Sequence, residues 1–448
     1  MGMKKFLLLS LLISLCINLF AQTINLEQVR TLALSNSRSL AKYYLSIQSS
    51  VLDERSQLFT MLPTLSADYN ASMNYLNNKW GIVNPVDTFS AAASLAITQK
   101  IFEGGKSFIQ KSLSSISTES LRKEALAEYY NVLDTVDNAY YSTLDAIASL
   151  DAAESSLETA VLSLSIAEIR QASGMINQGD YLKALADKES RENSRNQARR
   201  NVSLAMAKLK SLIGLETLPE LEQIDFDSYE NLIIYLAEIS DESADALFLD
   251  YLKILSQSNP SLARAVLNNQ RAQKNLSLAR RDAAPTLSAT VFSTGINYST
   301  ADGFGSTSGG GILLRGSIPL DFWVMANKIE KSKIAVNSAS LDYLNTESSL
   351  ETELQTALLN TLSQAGSVLS SRRALEYAEK HLEYIMERYR LSQSSVSELS
   401  DASALVSSSR VQLIKSEYGF LQSLSKLRSL GAIEDEEKLL EILLGEAR

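Results

Sequence analysis

Glu398 and Asp401 stand three residues apart in a stretch of helical periodicity, so their carboxylates share one face of the helix. Two readings fit such a pair. The acids are grouped to meet cations, or they sit at a helix N-terminus because negative charge favours the helix dipole there. An earlier stretch is similar, with Asp180 in the place of Glu398 and Ala184 in the place of Ala402. Other candidates for chemistry are few. His381 is the only histidine, and it lies in a helical pattern beside Lys380 and Glu383; a metal site would need further ligands nearby. The Gly303–Gly311 run precedes a strand pattern rather than a helix, which does not suit a phosphate loop. No nucleophile–base pair is legible. The expectation is a protein that is not an enzyme, with no cofactor and no metal site.

The elements that would position these acids begin after an export signal. Lys4 and Lys5 precede an apolar run from Phe6 to Phe20, and Ala21 offers a small residue for cleavage, so residues 1–21 read as a secretory signal peptide. Cys16, the only cysteine, lies inside that run, so the mature chain is expected to have no disulfide and no thiolate site. Cleavage moves the formal net charge from −10 to −12, because the removed segment carries Lys4 and Lys5 and no acid. A charge of that sign repels phosphate and argues against nucleic acid as a partner. No later apolar run is long enough for a transmembrane helix, but a membrane β-barrel uses short alternating strands that hydropathy overlooks.

The chain carries an internal duplication. Met61-Leu-Pro-Thr-Leu-Ser-Ala-Asp68 and Ala283-Ala-Pro-Thr-Leu-Ser-Ala-Thr290 each follow a helical run and open an alternating segment. In the first copy (22–225) a helix from Asn25 to about Leu62 leads to strands over 64–76 and 89–102. On the first strand, Leu65, Ala67, Tyr69, Ala71 and Met73 alternate with Ser66, Asp68, Asn70, Ser72 and Asn74. A long helical hairpin over 105–213 follows, broken at Gly174–Gly179. Its first helix keeps an apolar seam of heptad spacing through Leu126, Leu133, Tyr140, Ile147 and Val161. Residues 226–244 read as a linker. The second copy (245–433) repeats the order, with strands over 286–299 and 311–322 and a hairpin over 325–430 that turns near Ser392–Ser395. Residues 434–448 form a short acidic segment. Aromatic residues near the strand ends (Tyr75, Trp80, Phe102, Tyr298, Phe304, Trp323) suit the interfacial girdles of a membrane barrel.

Four amphipathic strands cannot span a membrane as an open sheet, because the edge N–H and C=O groups would face lipid unpaired. About eight strands make the smallest usual barrel. Two copies or three would both suffice, and the polar strand face with Asp68, Asn70, Asn74 and Arg315 would line the wet interior. The soluble alternative is a periplasmic coiled-coil scaffold whose strands serve only as an interaction hairpin.

The chain resembles the TolC-like outer membrane efflux proteins over nearly its whole mature length. The resemblance rests on the duplicated Pro junctions and on Ile97-Thr-Gln-Lys-Ile-Phe-Glu-Gly-Gly-Lys106 at a strand-to-helix passage. It rests also on the helix start Ser258-Asn-Pro-Ser-Leu262, with a counterpart Asn36-Ser-Arg-Ser-Leu40 that lacks the proline, and on the run from Arg388-Tyr389 to Glu398-Leu-Ser-Asp-Ala402. It implies a mainly α protein with a small β part: duplicated long-helix hairpins forming a periplasmic α-barrel, and four antiparallel strands per chain contributing to a trimeric 12-stranded transmembrane β-barrel.

The resemblance further implies the exit duct of a tripartite efflux or type I secretion system, in the outer membrane and extending into the periplasm. Its implied partners are two further copies of the chain, a periplasmic adaptor protein, an inner membrane transporter and outer membrane lipid. By the same resemblance Glu398, Asp401 and Asp180 form a cation-favouring constriction at the hairpin ends. Gly174, Arg390, Leu391 and Ser392 become candidate adaptor contacts. Ser392 departs from the family, which often has glycine there, whereas Gly174 keeps it in the first copy.

Overall fold

The computed structural model describes residues 23–74, 88–299, 303–305, 309–391 and 393–444. The expected signal peptide, Tyr75, Trp80 and Ser392 lie outside the described residues, as do the side chains of Asn74, Tyr298 and Phe304. The protein is mainly helical with one small antiparallel sheet.

The helices are α1 (Leu26–Asn36), α2 (Arg38–Phe59), α3 (Lys106–Ala172), α4 (Gln178–Ile213), α5 (Glu230–Glu238), α6 (Asp241–Ser258), α7 (Pro260–Arg280), α8 (Phe322–Arg390), α9 (Val396–Gly431) and α10 (Glu436–Leu444). The strands are β1 (Thr64–Asn74), β2 (Thr88–Phe102), β3 (Thr286–Ser299), β4 (Gly303–Gly305) and β5 (Gly309–Ser317). The chain divides into two compact units, and each draws on both copies of the duplication. One comprises the described residues of Met1–Leu40, Ala127–Asn259 and Ser349–Arg448; the other comprises Ala41–Leu126 and Pro260–Ser348.

Several expected elements differ in extent. The first helix is two helices, because Ser37 has extended backbone (ψ 110°) and its hydroxyl accepts from the Leu40 N–H at 3.3 Å. The last strand stops at Ser317 rather than running to 322. Pro319 cannot donate to a ladder, and the Asp321 carbonyl already accepts from the Val324 and Met325 N–H groups, starting α8 at Phe322. The presumed linker is largely helical, with a 3₁₀ turn at Phe226–Tyr229 followed by α5, where Leu232, Ile233 and Leu236 are buried. The acidic C-terminal segment contains α10, which buries Leu439 and Leu443.

In the unit that holds the sheet, β1, β2, β3 and β5 are antiparallel neighbours in that order, with short β4 also beside β3. Directly opposed residues of antiparallel strands project to the same face. The register therefore gathers Leu65, Ile97, Val291 and Ile312 in one row across the sheet, with Ala67–Leu95 and Ala289–Leu314 beside it. The opposite face carries Thr64, Thr98 and Thr290 in a row, with the Thr98 and Thr290 hydroxyls 3.0 Å apart. The apolar face is open: Leu65 is 74% exposed and Ile312 75%. At the passage into α3, Gly104 has a positive φ of 63°, and a Cβ there would meet the Cβ of Ala284 at 2.3 Å. That close approach is why the Glu-Gly-Gly motif needs glycine.

In the other unit the helical seam departs from the expected heptad row. Leu133, Val136 and Tyr140 are buried as the spacing predicts, but Val161 is exposed. Beyond Ala152 the buried positions of α3 are small until Arg170, namely Ser156, Ala160, Ser163 and Ala167. Small side chains let helices approach closely and shift which residues meet the seam. Asp187–Asn201 contains no buried residue, as its polarity all round predicts.

The duplicated Ser-Asn motif has a physical role in this unit. The Asn36 side-chain amide donates to the Ile213 carbonyl at 2.7 Å, and the Asn259 amide donates to the Leu430 carbonyl at 3.0 Å. Each asparagine satisfies a carbonyl at the C-terminal end of a return helix, where the helix offers no N–H of its own.

Candidate functional site

The two hairpin turns are built alike. In the first, the Met175 N–H donates to the Arg170 carbonyl at 2.8 Å and Gly174 adopts φ 71°, closing α3 in a left-handed cap. In the second, the Gln393 N–H donates to the Arg388 carbonyl at the same 2.8 Å, and the Arg388 guanidinium donates to the Gln393 carbonyl at 2.8 Å. Both return helices then start on a side-chain cap. The Asn177 side chain accepts from the Asp180 N–H at 2.9 Å, and the Ser395 hydroxyl accepts from the Glu398 N–H at 3.2 Å. Asp180 and Glu398 are thus equivalent third positions of their helices, and Ala184 and Ala402 are equivalent and buried.

Glu398 completes a capping box: its carboxylate accepts from the Ser395 N–H at 3.0 Å and from the Ser394 hydroxyl. The Ser394 hydroxyl bond, then the Ser395 N–H bond, holds the carboxyl below the usual glutamate range. The side chain is nevertheless exposed, and so is Asp401, which has no partner among the described residues. Of the expected docking residues, Gly174 is exposed with open space where a Cβ would stand. Arg390 pairs with Glu387 at 2.8 Å, and Leu391 is 67% exposed. Met175, at the first turn, is 70% exposed.

Behind the turns lies one apolar cluster shared by both copies: Ala167 and Ala184 from the first, and Ile385, Tyr389, Val396, Leu399 and Ala402 from the second. Arg170 enters this cluster and is itself buried. On the sheet, the register places Asp68 opposite Ser94 and Asn70 opposite Ala92 on the polar face. Arg315 is opposite Ser288, which is opposite Lys100, and these too lie on the polar face. Asn74 is in register with Thr88, and its side chain lies outside the described residues.

The sequence pattern described as outer membrane efflux protein matches residues 29–215 and 252–432. The chain belongs to the outer membrane efflux protein family. The two matched stretches correspond to the two copies of the duplication. No curated protein sequence matches the chain. Among solved structures, the Campylobacter jejuni CmeC outer membrane channel is similar, with a TM-score of 0.75, 17% identity, and coverage of 92% of this chain and 88% of CmeC. CusC, whose structures concern folding and transmembrane channel formation, gives a TM-score of 0.77 at 18% identity, covering 91% of each chain. The Vibrio cholerae outer membrane protein VceC gives 0.72 at 16% identity, covering 91% of this chain and 96% of VceC. At these identities the likeness shows the fold. Among the described residues no group of three His, Cys, Asp or Glu side chains could hold a metal ion, and no helix is long and apolar enough to cross a membrane.

Sequence reasoning about this family member missed a buried charge network. Asp137 is fully buried in α3. Its carboxylate accepts from Arg30 at 2.7 and 3.0 Å, from the Ser425 hydroxyl at 3.0 Å and from Arg428. Arg30 also reaches Glu436 of α10 at 3.6 Å, and the Tyr229 hydroxyl donates to Glu436 at 2.7 Å. Burial opposes the Arg30 charge, but the hydrogen bond and charge of Asp137 outweigh it and raise the guanidinium pKa. A signal existed: Asp137 interrupts the apolar row of Leu133, Val136, Tyr140 and Leu144, and Arg428 stands beside Leu427. A lone charge at a core position asks for a partner.

Proposed function

We propose that three copies of this chain form an outer membrane channel continuous with a periplasmic helical tunnel, the exit duct of a tripartite efflux or type I secretion system. The observation that carries this reading is the sheet. It has an exposed apolar face, a polar face bearing Asp68, Asn70 and Arg315, and β1 and β5 at its two edges. In lipid, each unpaired edge group would cost several kcal/mol. Pairing β5 of one copy with β1 of the next removes both edges, and three copies of four long strands close a barrel of 12. Export by a cleaved signal peptide (1–21) is part of the same reading.

The hairpin ends serve as the gate and as the docking site for a periplasmic adaptor, through which an inner membrane transporter supplies the energy. Exposed Met175 and Leu391, beside Gly174 and Arg390, support the docking assignment, and Ser392 follows Leu391 in the sequence. The exposed carboxylates of Glu398 and Asp401, with Asp180, support a cation-favouring constriction, since each would recur around the trimer axis.

The full-length protein should run as a heat-dissociable trimer in detergent and open discrete pores in planar bilayers. Release from membranes by alkali without detergent would overturn the reading and favour the scaffold. Glu398→Ala with Asp401→Ala should raise single-channel conductance and weaken block by Mg²⁺; unchanged conductance and block would overturn the constriction assignment.

A further inference from the structure

We infer that Lys183 is a built-in counter-cation for the acidic group at the hairpin ends, setting how tightly that group holds a permeant cation. The inference rests on the reading of Glu398 and Asp401 as pore-facing. The two turns are equivalent residue by residue: Asn177 and Ser395 cap, Asp180 and Glu398 follow at the third helical position, and Ala184 and Ala402 are buried. In that register the first copy has Lys183 where the second has Asp401. The duplication has therefore reversed one charge at an otherwise matched position.

The structure also brings Lys183 to the helix that carries Asp401. The Lys183 ammonium donates to the Ser397 hydroxyl, so a cation carried by the first hairpin reaches across to the first turn of α9. Ser397 and Asp401 are four residues apart on that helix and share a face, one turn of about 5.4 Å apart. The ammonium has three donors on a flexible stem, and Ser397 is its only partner among the described residues. Rotation about the stem carries the charge from the Ser397 hydroxyl toward the Asp401 carboxylate. A cation from solution must compete with this tethered one. Divalent ions are then held less tightly than the count of acids alone would give.

The test is Mg²⁺ block of single channels formed by the full-length trimer in planar bilayers. Lys183→Met should lower the blocking concentration about threefold to tenfold, the effect of one unit charge at a screened, solvent-exposed site, and should shift the reversal potential toward greater cation selectivity. Lys183→Arg should behave like the parent. In an Asp401→Asn background, Lys183→Met should add little further change. If Lys183→Met leaves block unchanged while Glu398→Ala with Asp401→Ala weakens it, the inference fails and the pore-facing reading stands. If the double substitution also changes nothing, the reading fails and takes the inference with it.

Discussion

The Arg170 guanidinium lies 4.1 Å from the ring centroid of Tyr389 and donates to the Tyr389 carbonyl, joining the two copies of the repeat behind their turns. Both residues are buried, and the Tyr389 hydroxyl has no partner among the described residues. A buried cation held by a carbonyl and a π-face is a specific tie between hairpins whose contact behind the turns is otherwise an apolar cluster.

Arg170→Ala should loosen that tie by about 2 kcal/mol, from the lost charge-assisted bond and cation–π contact. Hydrogen exchange should quicken in 164–184 and 382–402 while the remainder of the helices keeps its protection. Unaltered exchange at both turns would count against the tie.

Asp137→Ala should be far more damaging than any exposed acid-to-alanine change. It would leave buried Arg428 and part-buried Arg30 near one another without their shared carboxylate, and breaking a buried pair costs about 3–5 kcal/mol. Thermal unfolding by circular dichroism should shift downward, and protease should cut earlier at α10, whose Glu436 pairs with Arg30. A shift no larger than that of Glu398→Ala would contradict the network.

Glu398 both caps its helix and carries a charge, and one substitution separates the roles. Glu398→Gln keeps an acceptor for the Ser395 N–H but is neutral, so the turn should stay as protected from hydrogen exchange as in the parent while Mg²⁺ block weakens. Because hydrogen bonds from the Ser394 hydroxyl and the Ser395 N–H hold the folded carboxyl below the ordinary glutamate range, the charged cap contributes stability above the unfolded pKa and loses it as pH falls through the folded one. Block by Mg²⁺ should accordingly persist at pH values where an ordinary glutamate is already half protonated. Block that titrates with an ordinary midpoint would remove Glu398 from the constriction.

Ala432 ends α9 with a positive φ of 51°, where the equivalent helix end in the first copy uses Gly214. A left-handed conformation is costly for a residue with a Cβ. Ala432→Gly should therefore stabilise the helical unit by about 0.5–1 kcal/mol, read as a higher urea midpoint at unchanged slope. A lower midpoint would mean that the Ala432 methyl contributes packing that outweighs the strain.

Much of the local structure is legible along the chain. The Pro-Thr-Leu-Ser-Ala repeats mark both helix-to-strand passages, the alternation of Leu65 to Met73 gives the strand and its two faces, and Gly104 and Gly174 mark positions of positive φ. These are properties of neighbouring residues, because period, proline and glycine act within a few positions. Extents were less legible. The break at Ser37 coincides with the Asn36 amide reaching the carbonyl of Ile213, a partner with no trace near it in sequence. Val161 fits the heptad row and is exposed, because small residues in the same helix redirect the seam.

The sequence by itself determined the duplication, the order of elements and the sidedness of the strands. Only the tertiary structure decided which distant residues act together: Asp137 with Arg30 and Arg428, Arg170 with Tyr389, and Lys183 with Ser397. The physical reason is range. Backbone propensity and hydrophobic period are local, whereas a buried charge or an ammonium finds its partner by where the helices pack, and packing brings together residues far apart along the chain.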